Sequence, residues 1–367
     1  MLVARSLLIL IFASLVMTAS LVTGPADFAY AQENDPAALQ GAVPGGTTEA
    51  GSSDAELWRQ IRQGNQGTVA GANPRSGLMI QSEGERWRQI RNSELPMYSA
   101  IAILGMLILL SIFFAIRGRI RIEHGWSGHT IPRFNLLERA SHWLLASSFI
   151  VLALTGLNLI FGRSLVLPWL GAEAFAFITV TGKYIHNYVG FAFMVALVLV
   201  AVLWVMHNIP NRHDVVWLLK GGGMLGGGHP PAKKFNAGQK IIFWVVILCG
   251  ISISMYGWAL LNPFTTTMMA DTAQLSNSIL GTSFPTEFAA VQEQQLQSIW
   301  HSAMAVFMIV VIIAHIYLGT VGMEGALDAM TSGEVDENWA REHHSIWVDE
   351  VNADNKDVAA GKPQPAE

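Results

Sequence analysis

A single cysteine, Cys249, in 367 residues excludes an internal disulfide, a thiolate-held metal or iron–sulfur centre, and covalent c-type haem attachment. Charge is scarce as well. Asp, Glu, Lys and Arg make up 13% of the chain against 51% hydrophobic residues, and the mean hydropathy is positive. A soluble enzyme of this length does not carry so much apolar surface, so the composition is that of a polytopic membrane protein. The formal net charge of −5 says nothing about partners and gives no reason to expect nucleic acid. What matters is where Lys and Arg are missing. The stretch 262–299 has neither, and such a connection belongs outside, because basic residues gather on the cytoplasmic face.

Five apolar runs are long enough to span a hydrocarbon core, at Met97–Ile116, Ala140–Phe161, Tyr184–Met206, Ile241–Leu261 and Trp300–Gly322. Arg117, Arg119, Arg121, Arg133 and Arg139 crowd the first connection, and Arg212, Lys220, Lys233, Lys234 and Lys240 the one after the third run. Both connections belong inside. The connection 162–183 has only Arg163 and Lys183 and belongs outside.

Upstream, Arg5 precedes an apolar run from Ser6 to about Val22, and Ala29-Tyr30-Ala31 offers a small-x-small cleavage site. Residues 1–31 are expected to be a cleavable signal peptide. An uncleaved signal anchor is the other reading and leaves the downstream topology unchanged. Residues 32–93 are rich in Gly, Ala, Gln, Asn and Ser and too polar to fold alone. They contain a short repeat: Glu56-Leu57-Trp58-Arg59-Gln60-Ile61-Arg62-Gln63 returns as Glu85-Arg86-Trp87-Arg88-Gln89-Ile90-Arg91-Asn92, with Trp and Ile on one helical face. Each copy fits a docking helix and a duplicated linker equally well.

Histidines occur at two depths. Fourteen residues separate His301 from His315, about 21 Å along a helix and within roughly 40° in rotation, so both leave one face. His142 starts its run at the inner surface, and His186 starts its run at the outer surface. Neutral imidazoles in hydrocarbon need partners. Hydrogen bonds to neighbouring helices would serve a single pair, but four histidines at two matched depths point to two bis-histidine haems, His186 with His301 outside and His142 with His315 inside. A zinc site would want its ligands gathered at one depth. Gly156, Gly190, Ser302, Ala305 and Gly319 lie near these histidines and suit a flat cofactor as well as close helix packing. Trp143, Trp169, Trp258 and Trp300 read as an interfacial belt.

The motifs Arg139-Ala140-Ser141-His142-Trp143, Gly182-Lys183-Tyr184-Ile185-His186, His207-Asn208-Ile209-Pro210, Lys234-Phe235-Asn236-Ala237-Gly238-Gln239-Lys240, His315-Ile316-Tyr317 and Trp339-Ala340-Arg341-Glu342-His343-His344 follow in an order and spacing that resembles the cytochrome b (gamma) subunit of membrane-bound formate dehydrogenases. The resemblance runs from about Arg133 to Glu350. It implies a four-helix transmembrane di-haem cytochrome b bundle over 140–330, an all-α membrane protein with haem b ligands His142, His186, His301 and His315. It also implies a quinone site on the cytoplasmic side, using Asn236 and Gly238, that takes menaquinone or ubiquinone. The implied partners are an iron–sulfur beta subunit and a molybdenum or tungsten catalytic alpha subunit, which would oxidise formate. A cytochrome b subunit of another periplasmic oxidoreductase, such as a nickel–iron hydrogenase, is the alternative, and a haem-free membrane anchor a remote one. The signal, the extension and the extra membrane helix at 94–117 have no counterpart in the short members of that family.

On this reading the chain is a multi-pass protein of the bacterial inner membrane, with a periplasmic extension, a basic cytoplasmic connection at 118–139 and a cytoplasmic tail at 331–367. Chemically, Asn236 and Gln239 can donate to a quinone carbonyl. Lys233, Lys234 and Lys240 either stabilise developing negative charge or serve only to set orientation. The glycines 221–223 and 226–228 fit either a hinge beside the quinone site or a plain linker.

Overall fold

In the computed structural model, residues 83–223 and 228–359 are described. The expected signal peptide, the first copy of the repeat and the glycines at 226 and 227 lie outside them. Five helices are long and apolar enough to cross a membrane, and each is longer than the run read from hydropathy. The second repeat copy forms α1 (Glu83–Gln89) and continues through a π-turn, Ile90–Glu94, into α2 (Leu95–Arg117). The extra helix therefore begins at Glu83, eleven residues before its expected boundary at 94, and its first turns carry the Trp and Ile of the repeat. Ile90 is buried, and the Trp87 indole donates to Ser298 Oγ at 3.3 Å.

After β1 (Thr130–Pro132), Asn135 starts α3 (Leu136–Leu165) with a reciprocal capping box: its side chain accepts from Glu138 N, and the Glu138 carboxylate accepts from Asn135 N. Helix α4 (Leu167–Trp204) follows and is broken within its first turns at Gly171, whose φ of 78° suits a residue without Cβ. Next come α5 (Arg212–Leu219), α6 (Ala237–Leu261), α7 (Met268–Leu280) and α8 (Ala290–Tyr317), which runs on through a π-turn at Leu318–Gly322. The short α9 (Asp328–Thr331), β2 (Glu334–Asp336) and α10 (Glu337–Ala359) complete the described chain.

The chain divides into two compact units. The smaller holds described residues 83–99 and 255–303, and the larger holds 100–254 and 304–359. Within the smaller unit the connection 262–289 is not a bare loop. Buried Glu293 accepts from Met269 N and Ala270 N at the start of α7 and from Gln297 Nε2, so one carboxylate satisfies helix-end donors that hydrocarbon could not. The Tyr256 hydroxyl lies 2.8 Å from Thr272 Oγ1.

In the larger unit the helices are joined by one small sheet, and the basic connection and the tail meet there. Strands β1 and β2 pair antiparallel, with Ile131 opposite Val335, and Ile120 N donates to Gly322 O at 2.9 Å. The tail supplies the acceptors that the connection lacks. Asp336 accepts from Ser127 N and Oγ, and Glu342 accepts from Glu123 N, His124 N and His124 Nδ1. Burial pushes both carboxyls up, yet these hydrogen bonds outweigh it and hold both below their usual range. Hydropathy misses such a layer because its polar residues act in pairs that are distant in sequence.

His343 sits in this layer, where burial and then the nearby charge of His229 push its imidazole down to about 4, with Arg133 acting the same way and Glu342 and Glu123 opposing. The unfolded chain therefore binds more protons than the folded one between pH 4 and the ordinary 6.5, so stability rises with pH across that window. The Tm of the full chain should be flat above pH 6.5 and fall as the pH drops through the window, and His343→Asn should flatten that slope in a thermal-unfolding series.

Candidate functional site

The larger unit brings two of the four expected histidines together. The rings of His142, in the second turn of α3, and His315, in the last turn of α8, lie 6.3 Å apart centre to centre and are twisted by 64°. An imidazole nitrogen stands about 2 Å from a metal it ligates and about 1.1 Å from its own ring centre, so two rings on opposite sides of one ion come about 6 Å apart. The spacing fits an iron held between them. Trp204 lies against His142 at 6.4 Å, and the buried Nδ1 of His142 has no hydrogen-bond partner among the described residues. A Cβ at Gly319, one turn beyond His315, would meet nothing within 4 Å, so there is room beside the ligand for a flat group.

His186 lies in the larger unit and His301 in the smaller. Each has a neighbour that sequence reasoning missed. Thr155 Oγ1 donates to Val151 O at 2.8 Å and sits 2.8 Å from His186 Nδ1. A hydroxyl that donates to its own helix accepts from the ring, so the His186 proton belongs on Nδ1 and its lone pair on Nε2, the form that ligates a metal. Gly156 beside it gives the ring room: a Cβ there would stand 3.6 Å from His186 Cε1. Around His301, a Cβ at Gly257 would come within 3.2 Å of Cε1, so α6 approaches the ring more closely than nine in ten real Cβ contacts allow. Thr155 and Gly257 have no distinctive spacing. Only the helix crossings give them their roles.

The loop expected to bind quinone is built as a cap. Asn236 Oδ1 accepts from Gln239 N, and Gln239 Oε1 accepts from Asn236 N, both at 3.0 Å, which is the reciprocal arrangement of a helix start. The box uses the carboxamide oxygens and leaves the amide nitrogens as donors for another acceptor. Gly238 faces the Trp217 ring so closely that a Cβ would lie 2.8 Å from it, and Gly222, with φ of 65°, meets the same ring on another side. Of the glycines 221–223, Gly222 packs onto Trp217, whereas a Cβ at Gly223 would meet Gly228 O at 2.7 Å.

The lysines of this loop are engaged. Lys234 Nζ binds the buried Glu138 carboxylate at 2.9 Å, and the Trp204 indole donates to the same oxygen at 3.0 Å. Lys240 Nζ binds Asp214 at 2.9 Å and Ile209 O at 3.0 Å, both within the core. Lys233 pairs with Glu350 at the surface. Asn208, fully buried, donates to Trp204 O, and its own carbonyl accepts from the Trp244 indole. The polar motifs thus hold one another, and together they fix the loop beside the foot of α3.

A chain with this helical bundle and facing histidines is a membrane b-type cytochrome, and it belongs to the prokaryotic cytochrome b561 family, whose model matches residues 133–333. Membership implies haem b as the resident cofactor. The chain is 28% identical over 224 residues to the cytochrome b556(Fdn) subunit of the nitrate-inducible formate dehydrogenase of Escherichia coli (strain K12), covering 60% of this chain and 91% of that one. It is 27% identical over 224 residues to the formate dehydrogenase cytochrome b556(fdo) subunit of the same organism, covering 60% and 93%. A formate dehydrogenase cytochrome b556 subunit of Haemophilus influenzae is 26% identical over 225 residues, covering 60% and 83%.

Gly238→Ala should drive a methyl into the Trp217 ring and destabilise the protein by about 1–3 kcal/mol, as over-packing does. Trp217→Phe, which lacks the atoms in contact, should recover much of that loss. Thermal unfolding of the two single variants and the double variant measures the coupling.

Proposed function

We propose that this chain is the cytochrome b subunit of a membrane-bound formate dehydrogenase, passing electrons from a periplasmic iron–sulfur subunit to a quinone on the cytoplasmic side of the inner membrane. The observation that carries the reading is the 6.3 Å approach of the His142 and His315 rings, which stand on α3 and α8 where the two imidazoles would hold one haem. Its complement is His186 with His301, making two haems b. That the relatives in hand are formate dehydrogenase subunits favours this complex over a hydrogenase. Formate oxidation then belongs to a molybdenum or tungsten subunit, for which this chain offers no cysteine cluster.

When bound, the haems supply two one-electron relay positions across the membrane. The chain's own residues do the rest. Thr155 holds the His186 proton on Nδ1, which keeps Nε2 available as a ligand. Glu138 links the foot of α3 to Lys234, so the loop that receives quinone is fixed at the depth of His142. The Asn236 amide donates to a quinone carbonyl while its oxygen continues to cap α6. Inward electron movement against the membrane potential stores about 2.3 kcal/mol per charge for each 100 mV.

Haem content by pyridine haemochrome should be two per chain, and His142→Ala and His315→Ala should each reduce it to one and abolish the same spectral component. Loss of different components from the two variants would break the pair. Formate oxidation with a soluble dye should survive either change.

Asn236→Asp separates cap from donor. The carboxylate keeps the capping oxygen and gains favourable charge at a helix start, but it has no amide to offer. Quinone reduction should slow by about tenfold, the worth of one lost hydrogen bond, with both haems still reduced by formate. Normal quinone turnover would make Asn236 a cap only.

A further inference from the structure

The larger unit carries a basic cleft of about 270 Å³, lined by Arg117, Arg119, Arg121, Trp217, Gly223 and His229 among others. It lies where the extra span ends, since Arg117 is the last residue of α2. The next residues alternate. Ile120 and Ile122 are buried while Arg119 and Arg121 are exposed, the period of an extended strand. That strand is pinned on its Ile side: Ile120 N donates to Gly322 O, Glu324 N donates to Ile120 O, and Ile122 N donates to the Glu324 carboxylate. Arg119 and Arg121 therefore leave the strand on its opposite, exposed side.

The carboxylates of the cleft are already engaged. Glu342 takes two backbone donors and the His124 ring, and Glu123 pairs with His229 at 3.1 Å. Arg119 and Arg121 have no ion pair or hydrogen bond among the described residues. Two planar, permanently charged forks at the end of an apolar helix, beside an indole and a glycine backbone, match an anion with several oxygens at headgroup depth. We propose that this cleft binds the phosphate of an anionic phospholipid, with Arg119 and Arg121 as its ligands. The site would tie the extra span to the bundle through a lipid. It stands independently of the electron path.

The bland alternative is that these arginines set only the orientation of α2, which requires no selective binding. Full-length protein is purified in detergent, exposed to phosphatidylglycerol or phosphatidylcholine, exchanged into lipid-free detergent and weighed by native mass spectrometry. Wild type should retain one phosphatidylglycerol per chain in about tenfold excess over phosphatidylcholine, the discrimination expected of a charge-assisted bond. Arg119→Gln/Arg121→Gln should abolish the preference with haem content unchanged. If that pair inserts wrongly, as protease cleavage of the tail from one side of vesicles will reveal, Arg119→Lys/Arg121→Lys keeps the charge that sets orientation. It should bind phosphatidylglycerol several-fold more weakly, because ammonium groups lack the planar fork. Equal retention of the two lipids by wild type, or undiminished preference in whichever pair inserts correctly, overturns the proposal. So does retention of inorganic phosphate alone with no preference between lipids, which would make the cleft a site for free phosphate.

Discussion

The guanidinium of Arg133 is the constraint on which the larger unit depends. It is buried, with its carbon 5.3 Å from the centres of the Phe134 and Trp339 rings and 5.0 Å from that of Trp347. One nitrogen donates to Lys234 O at 2.6 Å and lies 3.0 Å from His344 Nε2. Burial lowers its pKa to about 9, with Glu138 opposing, so it remains charged at neutral pH. A buried cation without a bonded carboxylate is costly, and here aromatic faces and a carbonyl offset that cost. The consequence is geometric. A charge that can be stabilised in only one enclosure holds connection, loop and tail in a single arrangement.

The histidine beside it is fixed by the same logic. A guanidinium can only donate, so His344 Nε2 must accept, and its Nδ1–H must therefore be the donor to Lys233 O at 2.8 Å. Burial and then the Arg133 charge hold this imidazole well below its usual pKa, which keeps it neutral. Arg133 and His344 thus grip two successive carbonyls, those of Lys233 and Lys234, with only Phe235 between them and Asn236. The position of the capping box at the start of α6 is set from the tail, more than a hundred residues away in sequence.

Legibility followed the range of the interaction. The five spans and the motif order were readable because each depends on local hydropathy or on short local patterns. His142 and His315 lie on two of these spans, and their rings stand 6.3 Å apart. Thr155, Gly257 and the Glu138–Lys234 pair were not readable. A threonine, a glycine and a charged pair in a membrane chain have many uses, and only helix crossings select one. The lysines of the loop show the same limit: their sign was clear from orientation, while the carboxylates that engage them, on α3 and α5, were not.

By itself the sequence determined the class of protein, a membrane cytochrome b bundle, because a hydrocarbon solvent enforces length, apolarity and the rarity of ionisable groups in every span. It also determined which histidines were candidates, since so few buried imidazoles can be tolerated without a role. Only the tertiary structure decided how the polar ends are assembled: that the tail closes over the basic connection, that Arg133 lies among aromatic rings, and that Asn236 caps a helix. The physical reason is that hydrophobic burial is non-directional and can be read from composition, whereas hydrogen bonds and buried charges are satisfied by particular partners that the chain brings together only when folded.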